Sequence, residues 1–172
     1  MFGKKKKKAV RMKNETNLKL KAVDEEQKIK LKTTRFGEIE VPRENVIHMP
    51  GGVLGFPGYK DYILVPHKEN SPFLWYQSLD DPALVFVVIN PLIFKPDYDV
   101  PISSALMESL GAEKIEELEL LAIVTVPKDR PQDMTANLLG PIVIDPVKRL
   151  AKQIVLDPER YSTKTPILPQ KK

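Results

Sequence analysis

Hydrophobic residues along the chain fall into short runs separated by prolines, glycines and charged turns, a pattern typical of β-strands rather than long helices. Two of the strongest runs, at residues 121–126 and 138–144, have one polar loop between them. Both predict buried strands, because they are rich in branched apolar residues and stop at Pro127 and before Asp145. We therefore expect this region to organise the sheet.

Alternation of apolar and charged positions predicts a half-buried strand from Ile29 to Thr33, with its lysines on the opposite face. A second alternating set around Gly37 predicts its hairpin partner. Later in the chain, residues 152–156 are expected to form a hairpin with residues 140–144. Further strands are expected at residues 45–49, 59–67, 72–78 and 84–89.

One segment predicts an α-helix. Ser103 or Ser104 can cap its start, Leu106 and Leu110 share a face, and Gly111 suits its end. The acidic residues that follow predict a short turn or a second helical piece.

The sequence also predicts which of four large side chains are buried and which are exposed. In the glycine-rich loop at residues 50–59, Leu54 and Phe56 are expected to enter the core as anchors. On the strand at 72–78, Trp75 and Tyr76 must point to opposite faces. One of these two aromatic residues is therefore expected to be partly exposed, as a surface aromatic or an interface anchor.

These patterns predict a mainly β fold: a compact, small β-barrel-like domain with one or two short helices and a disordered basic N-terminal tail. The tail is expected to cover residues 1–28, the domain residues 29–165, and a flexible C-terminal tail residues 166–172. Sixteen prolines against eight glycines agree with short segments joined by rigid turns.

Candidate catalytic and metal-binding chemistry is sparse. The chain has no cysteine and only two histidines, which excludes thiolate sites and His-rich metal cages. The glycine-rich loop lacks the Lys-Ser/Thr ending of a P-loop, and Asp97 and Asp99 lack the rest of a calcium loop. A protein without a cofactor or metal is therefore expected. No apolar run is long enough for a membrane span and no signal peptide is recognisable, so the protein is expected to be cytoplasmic.

The net charge of +4 is distributed unevenly. Residues 1–32 carry 12 Lys/Arg against 4 Asp/Glu, residues 33–145 carry 8 against 17, and residues 146–172 carry 7 against 2. The folded body is therefore expected to have a net charge of about −9, from 8 against 17. Such a body would repel nucleic acid and attract a cationic protein.

Six stretches carry a resemblance, and they lie in order over about residues 29–165: TRFGEIEVP at 34–42, GxLGFPGY at 52–59, SPFLWYQSLDDPALVFVVINP at 71–91, PDYD at 96–99, LLAIVTVP at 120–127 and MTANLLGPIVID at 134–145. In these stretches the sequence resembles the flagellar assembly factor FliW family of bacteria. The lysine-rich extension before Ile29 is not part of the family pattern.

That resemblance implies a compact β-barrel-like protein without catalytic activity. It implies that the protein binds the RNA-binding carbon storage regulator CsrA and relieves the repression of flagellin translation. It also implies binding to flagellin, so that flagellin and CsrA compete for the protein and flagellin synthesis is coupled to filament assembly.

Most candidate partner-binding residues lie on irregular segments held between buried strands, since such loops commonly present binding surfaces. Trp75 and Tyr76 are candidates as possible aromatic anchors on a strand. Met134 and Asn137 lie where the chain re-enters the sheet, although Asn137 could instead only satisfy backbone groups of the turn. The full candidate set is Asp97, Asp99, Asp129, Asp133, Met134, Asn137, Trp75 and Tyr76.

Two other classes of function remain open. One is a small barrel that binds single-stranded nucleic acid through its basic tails and an aromatic platform, which an acidic body disfavours. The other is a small hydrolase, which would need a nucleophile and a base. The sequence has no cysteine, no GxSxG motif and no histidine with an acid beside it.

Residues 1–27 are expected to be dispensable for folding, because they offer no apolar face to bury. Their deletion should leave the thermal midpoint of unfolding nearly unchanged, as measured by circular dichroism. A drop of many degrees would show instead that this segment is docked on the body.

Overall fold

The computed structural model describes residues 27–169, so most of the predicted N-terminal tail lies outside the described residues. The strands are β1 Lys28–Thr33, β2 Gly37–Pro42, β3 Ile47–His48, β4 Asp61–Pro66, β5 Phe73–Ser78, β6 Val85–Ile89, β7 Glu119–Thr125, β8 Thr135–Ala136, β9 Ile142–Asp145, β10 Leu150–Gln153 and β11 Thr165–Pro166. Seven of them close into a barrel in the order β7-β6-β5-β4-β3-β10-β9, because β9 pairs back onto β7. The predicted mainly β, barrel-like fold is confirmed.

Strand β7 pairs with three other strands, more than any other strand of the described sheet, in agreement with the prediction that this region organises the sheet. One edge pairs with β6, and the other pairs first with β9 and then with β8. Residues 137–141 separate those two strands, and Pro141 there has no N–H to donate to a ladder. The strand predicted at 138–144 is therefore correct only in its second half.

Two hydrophobic cores lie on opposite sides of the barrel wall. Inside the barrel, the stacked rings of Tyr62 and Tyr76, with centroids 4.4 Å apart, pack with Leu121. Outside it, Leu120 from the other face of β7 packs in one cluster with Leu106 of the helix. Because both faces of β7 are buried, its sequence is apolar without alternation.

The predicted helix is present as α1, Ser104–Leu110. The Ser103 hydroxyl accepts a hydrogen bond from the N–H of Leu106 at 3.1 Å, which caps the first turn. Gly111 ends the helix in a left-handed conformation with φ 61°. The predicted acidic turn is a 3-10 turn at Ile115–Glu117.

The two predicted hairpins are observed, the second with its later strand at Leu150–Gln153 rather than at residues 152–156. Strands β1 and β2 form a two-stranded sheet of their own, and β9 pairs with β10 so that Ile142 lies opposite Gln153. The body also extends beyond the predicted boundary at residue 165. Strand β11 pairs with β8, and the N–H of Ile167 donates to the carbonyl of Met134 at 3.3 Å.

The glycine-rich loop differs from its prediction. Val53 is the side chain that enters the barrel core at 2% exposure, whereas Leu54 is 58% and Phe56 37% exposed. The cause is local: a tight turn with Gly52 at φ 65° points Val53 inward and its neighbour outward. Phe56 rests against the ring of Phe86, 5.4 Å away, rather than entering the core.

Gly52→Ala should lower the free energy of unfolding by about 3 kcal/mol. Its Cβ would lie 2.5 Å from the carbonyl oxygen of Phe56, in a backbone that already disfavours a side chain. Gly55→Ala is the matched control, because φ is also positive there but nothing lies within 4 Å of the new Cβ. The control should show only the backbone cost of about 1–2 kcal/mol. If urea unfolding shows that Gly52→Ala and Gly55→Ala lower the free energy of unfolding equally, the steric explanation is wrong.

Candidate partner-binding surface

Asn137 occupies the turn between β8 and β9 and makes hydrogen bonds there with main chain and side chain. Its N–H donates to the carbonyl of Ile123 at 2.8 Å, which extends the pairing of β8 with β7. Its Oδ1 accepts from the N–H of Gly140 at 2.9 Å. Met134 is half-buried at the start of the same segment. Asn137 therefore satisfies backbone groups of the turn, and its role in partner binding stays a prediction.

Gln153 links this turn to the glycine-rich loop, a role that the sequence did not predict. Its Nε2 donates to the carbonyl of Gly140 at 2.8 Å, and its Oε1 accepts from the N–H of Leu54 at 2.8 Å. The loop and the turn are thereby held against each other across β10. A glutamine on a short strand carries no local signal of this role, since Leu54 is 99 residues away in sequence.

The loop at residues 95–99 carries two of the predicted acids and is fixed by tyrosines. The Tyr98 hydroxyl donates to the carbonyl of Leu138 at 2.7 Å. Burial raises the pKa of Tyr98, so this hydroxyl remains a donor near neutral pH. The Tyr161 hydroxyl accepts from the N–H of Asp99 at 3.2 Å and donates to its carbonyl at 3.0 Å. The loop is therefore packed against both the turn and the C-terminal segment.

The four predicted aspartates differ in their surroundings. The Asp97 side chain is 82% exposed and lies 3.2 Å from the ammonium of Lys95, which lowers the pKa of Asp97 through a hydrogen bond. Asp133 forms an ion pair with the arginine three residues before it. Asp99 is half-buried and Asp129 is exposed. Two of the four carboxylates thus already have a cationic neighbour.

Trp75 and Tyr76 point to opposite faces of β5, as predicted. Trp75 is half-buried on the outside, with the Arg35 guanidinium 4.3 Å from its ring centroid and the rings of Phe36 and His67 at 5.8 and 5.3 Å. Tyr76 is 0% exposed inside the barrel. The expectation that Tyr76 contributes to a partner surface is therefore corrected, because the barrel would have to open to expose it, and only Trp75 remains a candidate.

A histidine–aspartate pair was missed from the sequence because its members are 13 residues apart. Pairing of β3 with β4 places His48 Nδ1 2.6 Å from Asp61 Oδ1, with both side chains nearly half exposed. In residues 27–169, no group of three or more His, Asp or Glu side chains is arranged to hold a metal ion. Over the same residues, no helix has the length and apolar character to cross a membrane.

Comparison with known proteins identifies the family. The model described as FliW protein matches residues 30–167. A flagellar assembly factor FliW from Alkaliphilus metalliredigens is 44% identical over 139 residues, which are 80% of this chain and 85% of that protein. A flagellar assembly factor FliW from Geobacter sulfurreducens is 43% identical over 138 residues, which are 80% of this chain and 86% of that protein. The chain belongs to the FliW family.

A crystal structure of the flagellar assembly factor FliW agrees with this assignment. It superposes with a TM-score of 0.76 at 35% identity and covers 83% of this chain and 99% of that chain. The resemblance read from the six sequence stretches is thereby confirmed. The family match begins at residue 30, so the lysine-rich extension lies outside it.

The charge of the FliW-like body differs from the value expected from sequence. Strand β1 and the segment after residue 145 belong to the folded part and bring their lysines and arginines into it. Residues 27–169 carry 16 Lys/Arg against 19 Asp/Glu, a net charge of −3 rather than −9. Attraction of a cationic partner must therefore depend on local acidic segments more than on the total charge.

Asn137→Ala should lower the free energy of unfolding by about 1–3 kcal/mol, because the N–H of Gly140 loses its acceptor. Asn137→Asp is the matched control, since it keeps an oxygen at the same position. Urea unfolding should place the control closer to the unmodified protein. If both variants are as stable as the original, the hydrogen bond to Gly140 does not hold the turn.

Proposed function

We propose that this FliW-family protein is a non-enzymatic, cytoplasmic antagonist of the carbon storage regulator CsrA. By binding CsrA it relieves the repression of flagellin translation. It also binds flagellin, so that the two proteins compete for it and flagellin synthesis follows filament assembly. The observation that carries this proposal is the family match, which covers residues 30–167 and therefore all seven strands of the barrel.

The surface chemistry supports a cationic protein partner. An RNA-binding regulator must present positive charge to phosphates. The exposed Asp97 and Asp129 provide carboxylates for a cationic partner on loops that are held at both ends, so little ordering is required on binding. Because Lys128 and Arg130 lie beside Asp129, the individual carboxylates rather than the net charge of that loop would make the contacts. Asp133 and the half-buried Asp99 lie on the same two loops.

The alternative of direct binding to single-stranded nucleic acid is less well supported. Such binding commonly uses an aromatic ring with a free face on which bases stack. The partly exposed Trp75 is instead in contact with Arg35, Phe36 and His67. The acidic excess in the described residues also opposes binding to phosphates.

Charge reversal to lysine at Asp97, Asp99, Asp129 and Asp133 together should weaken CsrA binding by about tenfold or more at low salt. The matched control reverses four exposed acids on and after α1, namely Glu108, Glu113, Glu116 and Glu117. It has the same total charge, and we expect a much smaller effect. Affinities and association rates should be measured by surface plasmon resonance, with thermal midpoints recorded for every variant.

Equal losses in the two variants would show that total charge, rather than the acidic loops, attracts the partner. Unchanged affinity of the first variant would move the search to the surface around Trp75 or to the C-terminal segment. A protein that binds neither CsrA nor flagellin, but shifts random single-stranded RNA in physiological salt, would contradict the proposed function and favour the nucleic-acid alternative.

A further inference from the structure

The β1–β2 hairpin forms a sheet separate from the barrel. Its six residue pairs run antiparallel from Lys28 opposite Pro42 to Thr33 opposite Gly37. Among the described residues, neither strand has a second ladder partner. Alternate N–H and C=O groups on the outer edge of β2, the edge that faces away from β1, are therefore not used in a ladder.

The two faces of this hairpin have different chemistry. Leu31 and Thr33 are buried on the inner face, where Ile39 and Val41 of β2 are only half-buried. The outer face carries the lysines of β1 and the glutamates of β2. Ile29 of β1 is likewise half-buried. Packing on the inner face is thus incomplete on β2, where a strand added at its outer edge could contribute apolar contacts.

The charges favour one kind of strand at the outer edge of β2. Glu40 lies 4.0 Å from Lys28 and 3.8 Å from Lys30, so β1 already supplies cations to it. Glu38 has no cation within 4.0 Å in the described part of the chain, although Lys32 is its register partner. A strand added at the outer edge of β2 would bring its side chains next to both glutamates from the side opposite β1. Side chains on one face of neighbouring strands are adjacent.

The two edges of the hairpin are not equally protected. Lysines at alternate positions of an edge strand discourage pairing with other cationic strands, and β1 has them at residues 28, 30 and 32. Strand β2 has neither a lysine nor a proline before Pro42. Its edge therefore favours a cationic strand, because Glu38 and Glu40 attract lysines that the β1 edge would repel.

The hairpin is also held in a fixed position. The N–H of Thr34 donates to the carbonyl of Pro82 at 2.9 Å, and Arg35 and Phe36 pack against Trp75. A preformed edge reduces the ordering cost of binding an extended peptide.

From these observations we propose that the outer edge of β2 binds an extended protein segment by antiparallel strand addition. The segment has Lys or Arg at alternate positions, facing Glu38 and Glu40, and apolar residues between them, facing Ile39 and Val41. Strand β1 shows this pattern, since its lysines lie opposite the same glutamates. The proposal is independent of the acidic-loop site and of the identity of the partners proposed above.

A labelled peptide copying residues 27–33, QKIKLKT, provides the probe. Added to the full-length protein at low salt, it should bind saturably in fluorescence anisotropy, and a copy with its lysines replaced by glutamate should not bind. N-methylation of alternate backbone amides should abolish binding in one register and leave it intact in the other, because only every second N–H faces β2. If both N-methylated peptides still bind, the peptide does not bind by strand addition.

Glu38→Lys should weaken peptide binding by about fivefold, while Glu69→Lys, at an exposed site in the β4–β5 turn, should have little effect. Equal effects of the two variants would overturn the location.

Hydrogen exchange should show new protection confined to residues 37–42. Loss of protection in β1 would show that the peptide displaces that strand, and protection elsewhere would show another site. Either result would contradict the proposal.

Discussion

Backbone pairing along β7 closes the barrel, because β6 bonds to one edge while β9 and β8 share the other. The strand is also buried on both faces, with Leu121 in the barrel and Leu120 in the outer core. Through this double pairing, the run of strands from β6 to β9 returns to the strand from which it started. A substitution in β7 would therefore disturb both cores and the closure of the barrel together.

The shared edge of β7 has a structural consequence at residues 137–141. Two strands cannot occupy one edge without an interruption, and the polar groups exposed there must find partners. Asn137, Gly140 and Gln153 provide them through hydrogen bonds of 2.8–2.9 Å. The interruption thus becomes a rigid turn. Tyr98 attaches the loop at residues 95–99 to it, and Tyr161 in turn holds the C-terminal segment against that loop.

Electrostatics divides the surface into local regions. The folded part has a small net charge of −3, since β1 and the C-terminal segment bring cations into it. Acidic residues remain on the loops around Asp97 and Asp129 and on the outer face of β2. Local groups of this kind determine where a cationic partner docks, whereas a small total charge contributes little to steering.

The sequence by itself determined the elements whose causes are local. Alternation set the β1–β2 hairpin, a serine cap and Gly111 set the bounds of α1, and a continuous apolar run identified β7 as a buried strand. The tertiary structure decided what depends on distant partners: Val53 rather than Leu54 or Phe56 enters the core, Gln153 joins two loops, and His48 meets Asp61. It also decided which face of β5 was exposed, because period-two alternation separates Trp75 from Tyr76 without saying which side the barrel encloses.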